Sequence, residues 1–154
     1  MTIFGNTALL DQPSHGFICS RHTMSSVILP CLDWAVNYAH GNEPVMSTFH
    51  SEMESAVLDM LLPGRCPIIM VLGRKPYKVL PQKLQAAMEA GRLLVISLSN
   101  EVRNNRKLSQ RCNDFICNTA ADLTFGFLSP NSSLNQLHQK AMLCHKPITI
   151  LTQL

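Results

Sequence analysis

Charged residues are scarce in this sequence. Asp, Glu, Lys and Arg make up 15% of the 154 residues, and hydrophobic residues make up 46%, whereas a typical globular domain has roughly 25% charged residues. A chain with so few charges either buries more of its residues than usual or covers apolar surface with a second copy of itself. The composition therefore favours a homo-oligomer, and the length suits a single domain over residues 1–154.

Long apolar runs are also absent. No segment approaches the roughly 18 consecutive apolar residues that a membrane span needs. The first ten residues, Met1–Leu10, lack the basic start and the cleavage site of a signal peptide. We therefore expect no membrane contact and a cytoplasmic protein.

Paired cysteines of the kind that bind zinc or form redox motifs are missing. The chain has six cysteines, but no CxxC pair and no spacing typical of a zinc site. In a reducing compartment such cysteines are free thiols that pack as small hydrophobic side chains. We therefore predict no disulfide and no metal site.

Glycine-rich phosphate loops and catalytic signatures are missing as well. The sequence contains no GxGxxG, no GxxxxGK[ST] and no GxSxG. Two carboxylates near a strand end, Glu52 and Glu54, are explained by their position in the first turn of a helix. No nucleophile, base and orienting group come together in the pattern, so neither a catalytic residue nor a cofactor is predicted.

Apolar runs and helical patterns alternate along the whole chain. After a lead-in segment of about residues 1–14, the pattern predicts six strands and five helices in strict alternation. Such alternation is typical of a three-layer α/β/α domain with a mostly parallel sheet. The predicted strands are Phe17–Ser20, Val45–Thr48, Pro67–Leu72, Leu93–Leu98, Asp122–Leu128 and Ile148–Leu151.

Positive charge is concentrated in the middle of the chain. Residues 1–64 contain six acidic residues and a single basic one, Arg21, whereas residues 65–111 contain ten basic and two acidic residues. The balance of +8 in the second segment favours a partner with phosphate groups. The alternative is a solvent-exposed basic surface that binds no partner.

Polar side chains follow the predicted strands at the edge where ligands of open parallel sheets bind. Ser20 and Arg21 come directly after the first strand, and Ser132 and Ser133 follow the fifth, before a helix. Hydroxyl groups, a guanidinium and helix N-terminal amides together suit a phosphate. His50, after the second strand, is a further candidate ligand contact.

A second group of residues suits nucleic acid. The loop after the third strand combines three basic residues with Tyr77, and such loops contact phosphates and stack on bases. A basic, amphipathic helix is predicted from about Arg103 to Thr119. The predicted nucleic-acid contacts are Arg74, Lys75, Lys78, Arg103, Arg106 and Lys107.

Several short motifs follow one another in a fixed order from about Ile3 to Leu151: Gly5–Leu10 with Cys19–Arg21, Arg111–Ile116, Asp122–Leu134 and Pro147–Leu151. In the same order they resemble a "GN..LL…ivGsR" opening, an "RNRiI" stretch, an "SGSl" turn and a "vfavPG" strand. This order resembles that of the Rossmann-like domain of the DNA-processing protein A (Smf) family. The wider superfamily of nucleotide-binding Rossmann-like proteins includes the lysine-decarboxylase-like proteins, but their "PGGxGTxxE" signature is absent here.

The resemblance implies a Rossmann-like fold, binding of single-stranded DNA and dimerisation. The family's glycine-containing turn after the second strand is Ser47–Glu52 here, without glycine, which disfavours close approach of a phosphate to that backbone. By position, the resemblance assigns the phosphate site to Ser20, Arg21, Arg111, Asn113, Ser132 and Ser133.

Three functions remain open at the level of sequence. The first is a nucleic-acid-binding module, in which the basic residues of 65–111 form one continuous stripe. The second is a small-nucleotide or nucleotide-sugar binding protein or hydrolase with a closed pocket around Arg21 and Ser132, where His50 and Glu52 are the local candidates for acid–base chemistry. The third is a non-catalytic dimeric scaffold.

Overall fold

A computed structural model describes residues 1–21 and 24–153, so that His22, Thr23 and Leu154 lie outside the described residues. Within these residues a seven-stranded sheet is flanked by helices. The strands are β1 (Thr2–Gly5), β2 (His15–Ile18), β3 (Val45–Ser47), β4 (Ile68–Leu72), β5 (Leu93–Ser97), β6 (Asp122–Leu128) and β7 (Ile148–Gln153). The helices are α1 (Ser25–Ala39), α2 (Glu52–Leu61), α3 (Gln82–Glu89), α4 (Arg106–Thr119) and α5 (Leu134–Leu143), with a short 3-10 helix at Thr7–Asp11.

The sheet has the order β1-β5-β4-β3-β2-β6-β7. Strands β2 to β7 pair in parallel with their neighbours, and β1 pairs antiparallel with β5. The predicted class, a mostly parallel α/β sheet with alternating helices, is confirmed. From β2 the chain builds the sheet first toward β5 and then returns to add β6 on the other side, so the strand order switches between β2 and β6.

The predicted count of six strands is wrong by one. The additional strand, β1, lies in the segment that the pattern assigned to a lead-in, and it pairs from Thr2 opposite Ser97 to Gly5 opposite Leu94. Four residues are too short a stretch to show the alternation of a strand by themselves. The strand ends at Gly5, whose φ of +106° favours glycine and where a Cβ atom would lie 2.4 Å from the Leu93 carbonyl oxygen.

Two apolar cores cover the two faces of the sheet. Side chains alternate along β4, so that Ile68 and Met70 pack on one face with α1, α2 and α3, and Ile69 and Val71 pack on the other face with α4 and α5. All five residues of β4 are buried, as expected for a strand that is covered on both faces. The three-layer arrangement is therefore confirmed.

Hydrogen bonds of polar side chains define two helix starts. Ser51 and Glu54 form a capping box at the start of α2. Helix α4 begins three residues later than predicted, at Arg106, because the Asn105 side chain accepts a hydrogen bond from the Leu108 amide at 2.9 Å. Arg103 consequently lies in the loop before the helix. In the described part of the chain, none of the helices has the length and apolar character of a membrane span.

Candidate functional site

The helices that follow β2 and β6 pack on opposite faces of the sheet, and the turns that lead to them line a cleft of about 480 Å³, the switch cleft. A crevice at this position is the usual ligand site of an open parallel sheet, and its volume lies within the range of small-molecule sites, roughly 300–1,000 Å³. Its lining includes Cys19, Ser20, Arg21, His50, Glu54, Arg106, Asn113, Ser132 and Ser133.

A second cleft of about 390 Å³, the outer cleft, lies over the ends of β3 and β4. It is lined by apolar side chains such as Leu58 and Leu84 at its floor and by polar and basic residues at its rim. The two clefts are adjacent, because both are lined by Arg21, Thr48, His50 and Ser109.

Six of the seven residues predicted for the phosphate site line the switch cleft, and the seventh, Arg111, lines neither cleft. The helical repeat of α4 explains this difference. Residues 106, 109, 110 and 113 are spaced by three and four positions and face the cleft, whereas residue 111 lies on another side of the helix. The Arg111 side chain is exposed there.

The residues predicted to contact nucleic acid are divided in the same way. Arg106 lines the switch cleft, and Arg74 and Arg103 line the outer cleft. The Arg74 guanidinium lies 4.4 Å from the centre of the Tyr77 ring, which also lines the outer cleft. The remaining three residues lie on the same half of the chain but line neither cleft: Lys75, Lys78 and Lys107.

Glu54 is the buried acidic residue of the switch cleft, with 4% of its surface exposed. One carboxylate oxygen accepts hydrogen bonds from the Thr48 hydroxyl at 2.7 Å and from the amides of His50 at 3.1 Å and Ser51 at 3.3 Å. The other oxygen accepts from the Cys19 amide at 3.1 Å. The sequence identified Glu54 only as a first-turn helix residue and did not reveal that it also holds the turn after β2.

Backbone geometry after β3 aims the amides at this carboxylate. Phe49 has a φ of +50°, in the left-handed region that a bulky side chain seldom adopts. Its side chain is buried, and its amide donates to the Ser47 hydroxyl at 3.1 Å. The turn after β3 therefore adopts a left-handed conformation without a glycine. The amides that follow it, those of His50 and Ser51, donate to the Glu54 carboxylate.

The opposite wall of the switch cleft is the turn between β6 and α5. The Ser129 amide donates to the Ser20 hydroxyl at 3.4 Å, which connects the turns after β2 and β6. The Ser132 hydroxyl accepts from the Leu134 amide at 3.1 Å and so stabilises the helix start. Ser133 holds the N-cap position without a capping hydrogen bond from its side chain.

Close packing fixes the loops around the outer cleft. A Cβ atom on Gly73 would lie 2.4 Å from the Asn104 side-chain oxygen, so a larger residue there would displace the Asn104 side chain. The Lys75 amide donates to the Glu101 carbonyl at 2.7 Å, and the Asn104 side chain donates to the Ser109 hydroxyl at 2.9 Å. The loops after β4 and β5 are therefore held against the start of α4.

The six cysteines are free thiols, and all but Cys144 are buried. Cys19 lies beside Cys31; a hydrogen bond to Cys31, burial and the charge of Glu54 raise the pKa of the Cys19 thiol. Burial likewise raises the pKa of Cys66 and that of Cys112 to about 11. These thiols are protonated at neutral pH and pack as apolar groups.

No protein-family model and no curated protein sequence matches the chain. Solved structures do. DNA processing protein A from Streptococcus pneumoniae superposes with a TM-score of 0.77 at 14% identity, over 96% of this chain and 53% of that one. DNA processing protein A from Helicobacter pylori, in a structure concerned with that protein's unique single-stranded DNA binding mode, gives 0.74 at 18% identity over 96% and 69%.

A third similar structure is the Moco carrier protein of Chlamydomonas rheinhardtii, with a TM-score of 0.62 at 11% identity over 93% of this chain and 77% of that one. The chain spans about half the length of the Streptococcus protein. At these identities the likeness concerns the fold. This protein therefore has the Rossmann-like fold of DNA processing protein A, as the resemblance in sequence predicted.

Proposed function

We propose that this protein binds single-stranded DNA along the two adjacent clefts at the carboxyl edge of its sheet. The observation that supports this most is their adjacency: the switch cleft and the outer cleft share Arg21, Arg106 lines the switch cleft, and Arg74 and Arg103 line the outer cleft. Two neighbouring clefts with basic residues suit a chain of phosphates better than a single small ligand.

The phosphate contacts are assigned to the switch cleft. Ser20, Ser132 and Ser133 bring hydroxyl groups to it, and Arg21 adds a guanidinium that is exposed and free of any described ion pair. Such groups together bind a phosphate through charge-assisted hydrogen bonds. Asn113 and Arg106, on the α4 side, contact the same strand of nucleic acid.

The base contacts are assigned to the outer cleft. Tyr77 and the Arg74 guanidinium stacked on it provide a flat surface, and the floor beside them is apolar. Aromatic and guanidinium planes bind bases without reading their sequence. Among the described residues that line the outer cleft there is no carboxylate that would repel the backbone.

The test is fluorescence anisotropy with a labelled oligo(dT) at two salt concentrations. We expect the dissociation constant to rise steeply with salt, and Arg106→Ala to weaken binding and reduce that slope by about one unit. The matched control is Arg65→Ala. This substitution also removes one positive charge, but Arg65 lies just before β4, at the amino ends of the strands and away from the two clefts. Equal effects of the two substitutions, or tighter binding of a free nucleotide than of oligo(dT), would refute the proposal.

A further inference from the structure

Glu54 places a negative charge inside the cleft to which a phosphate ligand is assigned. We propose that Glu54 is a specificity determinant: it occupies the amide cradle between β2 and β3 as an internal anion and so restricts the cleft to phosphodiesters, excluding pyrophosphates and nucleoside di- or triphosphates. This inference rests on the proposed function and names the class of phosphate that the site accepts.

The cradle is formed by donors from two different strand ends. The amide of Cys19 follows β2, and the amides of His50 and Ser51 follow β3; all three donate to the Glu54 carboxylate at 3.1–3.3 Å. Amides that converge at the carboxyl ends of parallel strands, before a helix, are the groups that ordinarily bind a ligand phosphate. In this protein a side chain has taken that place.

A ligand cannot readily replace this carboxylate. Glu54 is 4% exposed and belongs to the first turn of α2, where its own amide donates to the Ser51 hydroxyl. The left-handed conformation of Phe49 directs the donating amides of His50 and Ser51 toward the carboxylate. Removing the carboxylate from the cradle would leave the buried Cys19 amide and the Ser51 amide without this acceptor, and the His50 amide with the Thr48 hydroxyl alone, which costs free energy.

The negative charge of Glu54 discriminates between ligands by the number of negative charges that each ligand carries. A phosphodiester has one negative charge, and it can meet Arg21 after β2 and Ser132 after β6 without bringing a second charge to the cradle. A pyrophosphate brings two or more charges on adjacent phosphorus atoms, and the second phosphate would face the Glu54 carboxylate. Repulsion between like charges in a partly buried cleft is screened little by salt.

The test compares Glu54→Gln with Glu52→Gln. Both substitutions remove one charge in the same helical turn, but the Glu52 side chain is exposed and does not line either cleft. Binding of oligo(dT) and of inorganic pyrophosphate is measured by calorimetry. We expect Glu54→Gln to tighten pyrophosphate binding about tenfold or more relative to oligo(dT), and Glu52→Gln to leave the ratio unchanged. An unchanged ratio in Glu54→Gln would overturn the inference.

Amide chemical shifts test the cradle without any variant. In the unmodified protein, pyrophosphate should leave the amide resonances of Cys19, His50 and Ser51 in place, and shifts of these three resonances would refute the inference. In Glu54→Ala, where the amides lose their carboxylate, pyrophosphate should shift them. These chemical-shift measurements use pyrophosphate and do not depend on DNA. Failure to bind oligo(dT) would disprove the proposed function, whereas the chemical shifts alone decide the role of Glu54.

Discussion

The Cys19 amide donates a hydrogen bond to the Glu54 carboxylate at 3.1 Å, and this contact connects the end of β2 to the first turn of α2 across 35 positions of sequence. Through it, the turn that carries Ser20 and Arg21 is fixed relative to the turn that carries His50. The wall of the switch cleft between β2 and β3 is therefore built on a buried ionisable side chain.

Replacing Glu54 with alanine should destabilise the fold. The change leaves the buried Cys19 amide and the partly buried Ser51 amide without their acceptor, and a buried group that loses its partner costs about 1–3 kcal/mol. We expect a loss of about 2–4 kcal/mol in the free energy of unfolding, measured by urea denaturation. The exposed neighbour provides the control: Glu52→Ala should change the same quantity by less than about 0.5 kcal/mol. Similar losses in both variants would show that the hydrogen bonds to Glu54 contribute little.

Gly73→Ala should destabilise the protein and loosen the outer cleft. The new methyl group would clash with the Asn104 side-chain oxygen, and we expect a loss of about 1–3 kcal/mol in the free energy of unfolding, measured by urea denaturation. Removal of the clashing group in the double variant Gly73→Ala/Asn104→Ala should recover part of this loss. If the double variant is as unstable as the sum of the two single variants, the clash is not the cause.

Stability should fall as the pH rises above about 9. The thiols of Cys66 and Cys112 have a pKa of about 11 in the folded protein and an ordinary value of 9.0. Between these values the unfolded chain has lost thiol protons that the folded protein retains, so a rise in pH favours unfolding. Chemical denaturation at pH 7.5 and pH 10 measures the effect, and Cys66→Ala should reduce it. A pH dependence that Cys66→Ala leaves unaltered would contradict the assignment.

The homodimer remains a prediction from the low charge of the chain. The structure adds a surface for it on α1, where Ile28, Leu29 and Val36 are exposed at 46%, 66% and 37%. Light scattering at micromolar concentration should give twice the mass of one chain, and Leu29→Glu should shift it toward the mass of one chain. If the unmodified protein has the mass of one chain, the predicted homodimer is wrong.

Much of the fold could be predicted because its strands are either fully apolar or bounded by turn residues. The apolar runs at β4 and β5 are typical of buried strands, so they could be assigned as strands from the sequence. Their alternation with helices predicted that the strands pair in parallel. Strand β1 was missed because Thr2–Gly5 pairs with β5, a partner almost 90 residues away. No local pattern indicates such an antiparallel edge strand.

The candidate site could be predicted only where chain order determines position. Arg21 and Ser132 follow parallel strands, so they meet at the same edge. Whether Arg111 or Asn113 faces the cleft depends on how α4 is rotated about its axis against the sheet. The resemblance in sequence assigned both residues by position and did not include this rotation. The second role of Glu54 was equally hidden, because a capping box explains the residue fully without the distant Cys19 amide.

Arg21 offers the most direct test of the account, because it lines both clefts and is exposed, so that its removal should not disturb the core. The decisive measurement is the affinity of Arg21→Ala for oligo(dT), beside a thermal denaturation curve that checks the fold. We predict a loss of about 1.5–3 kcal/mol in binding free energy, the usual range for a hydrogen bond to a charged group, with an unaltered melting temperature. An unchanged affinity of Arg21→Ala would mean that the ligand binds elsewhere on the protein.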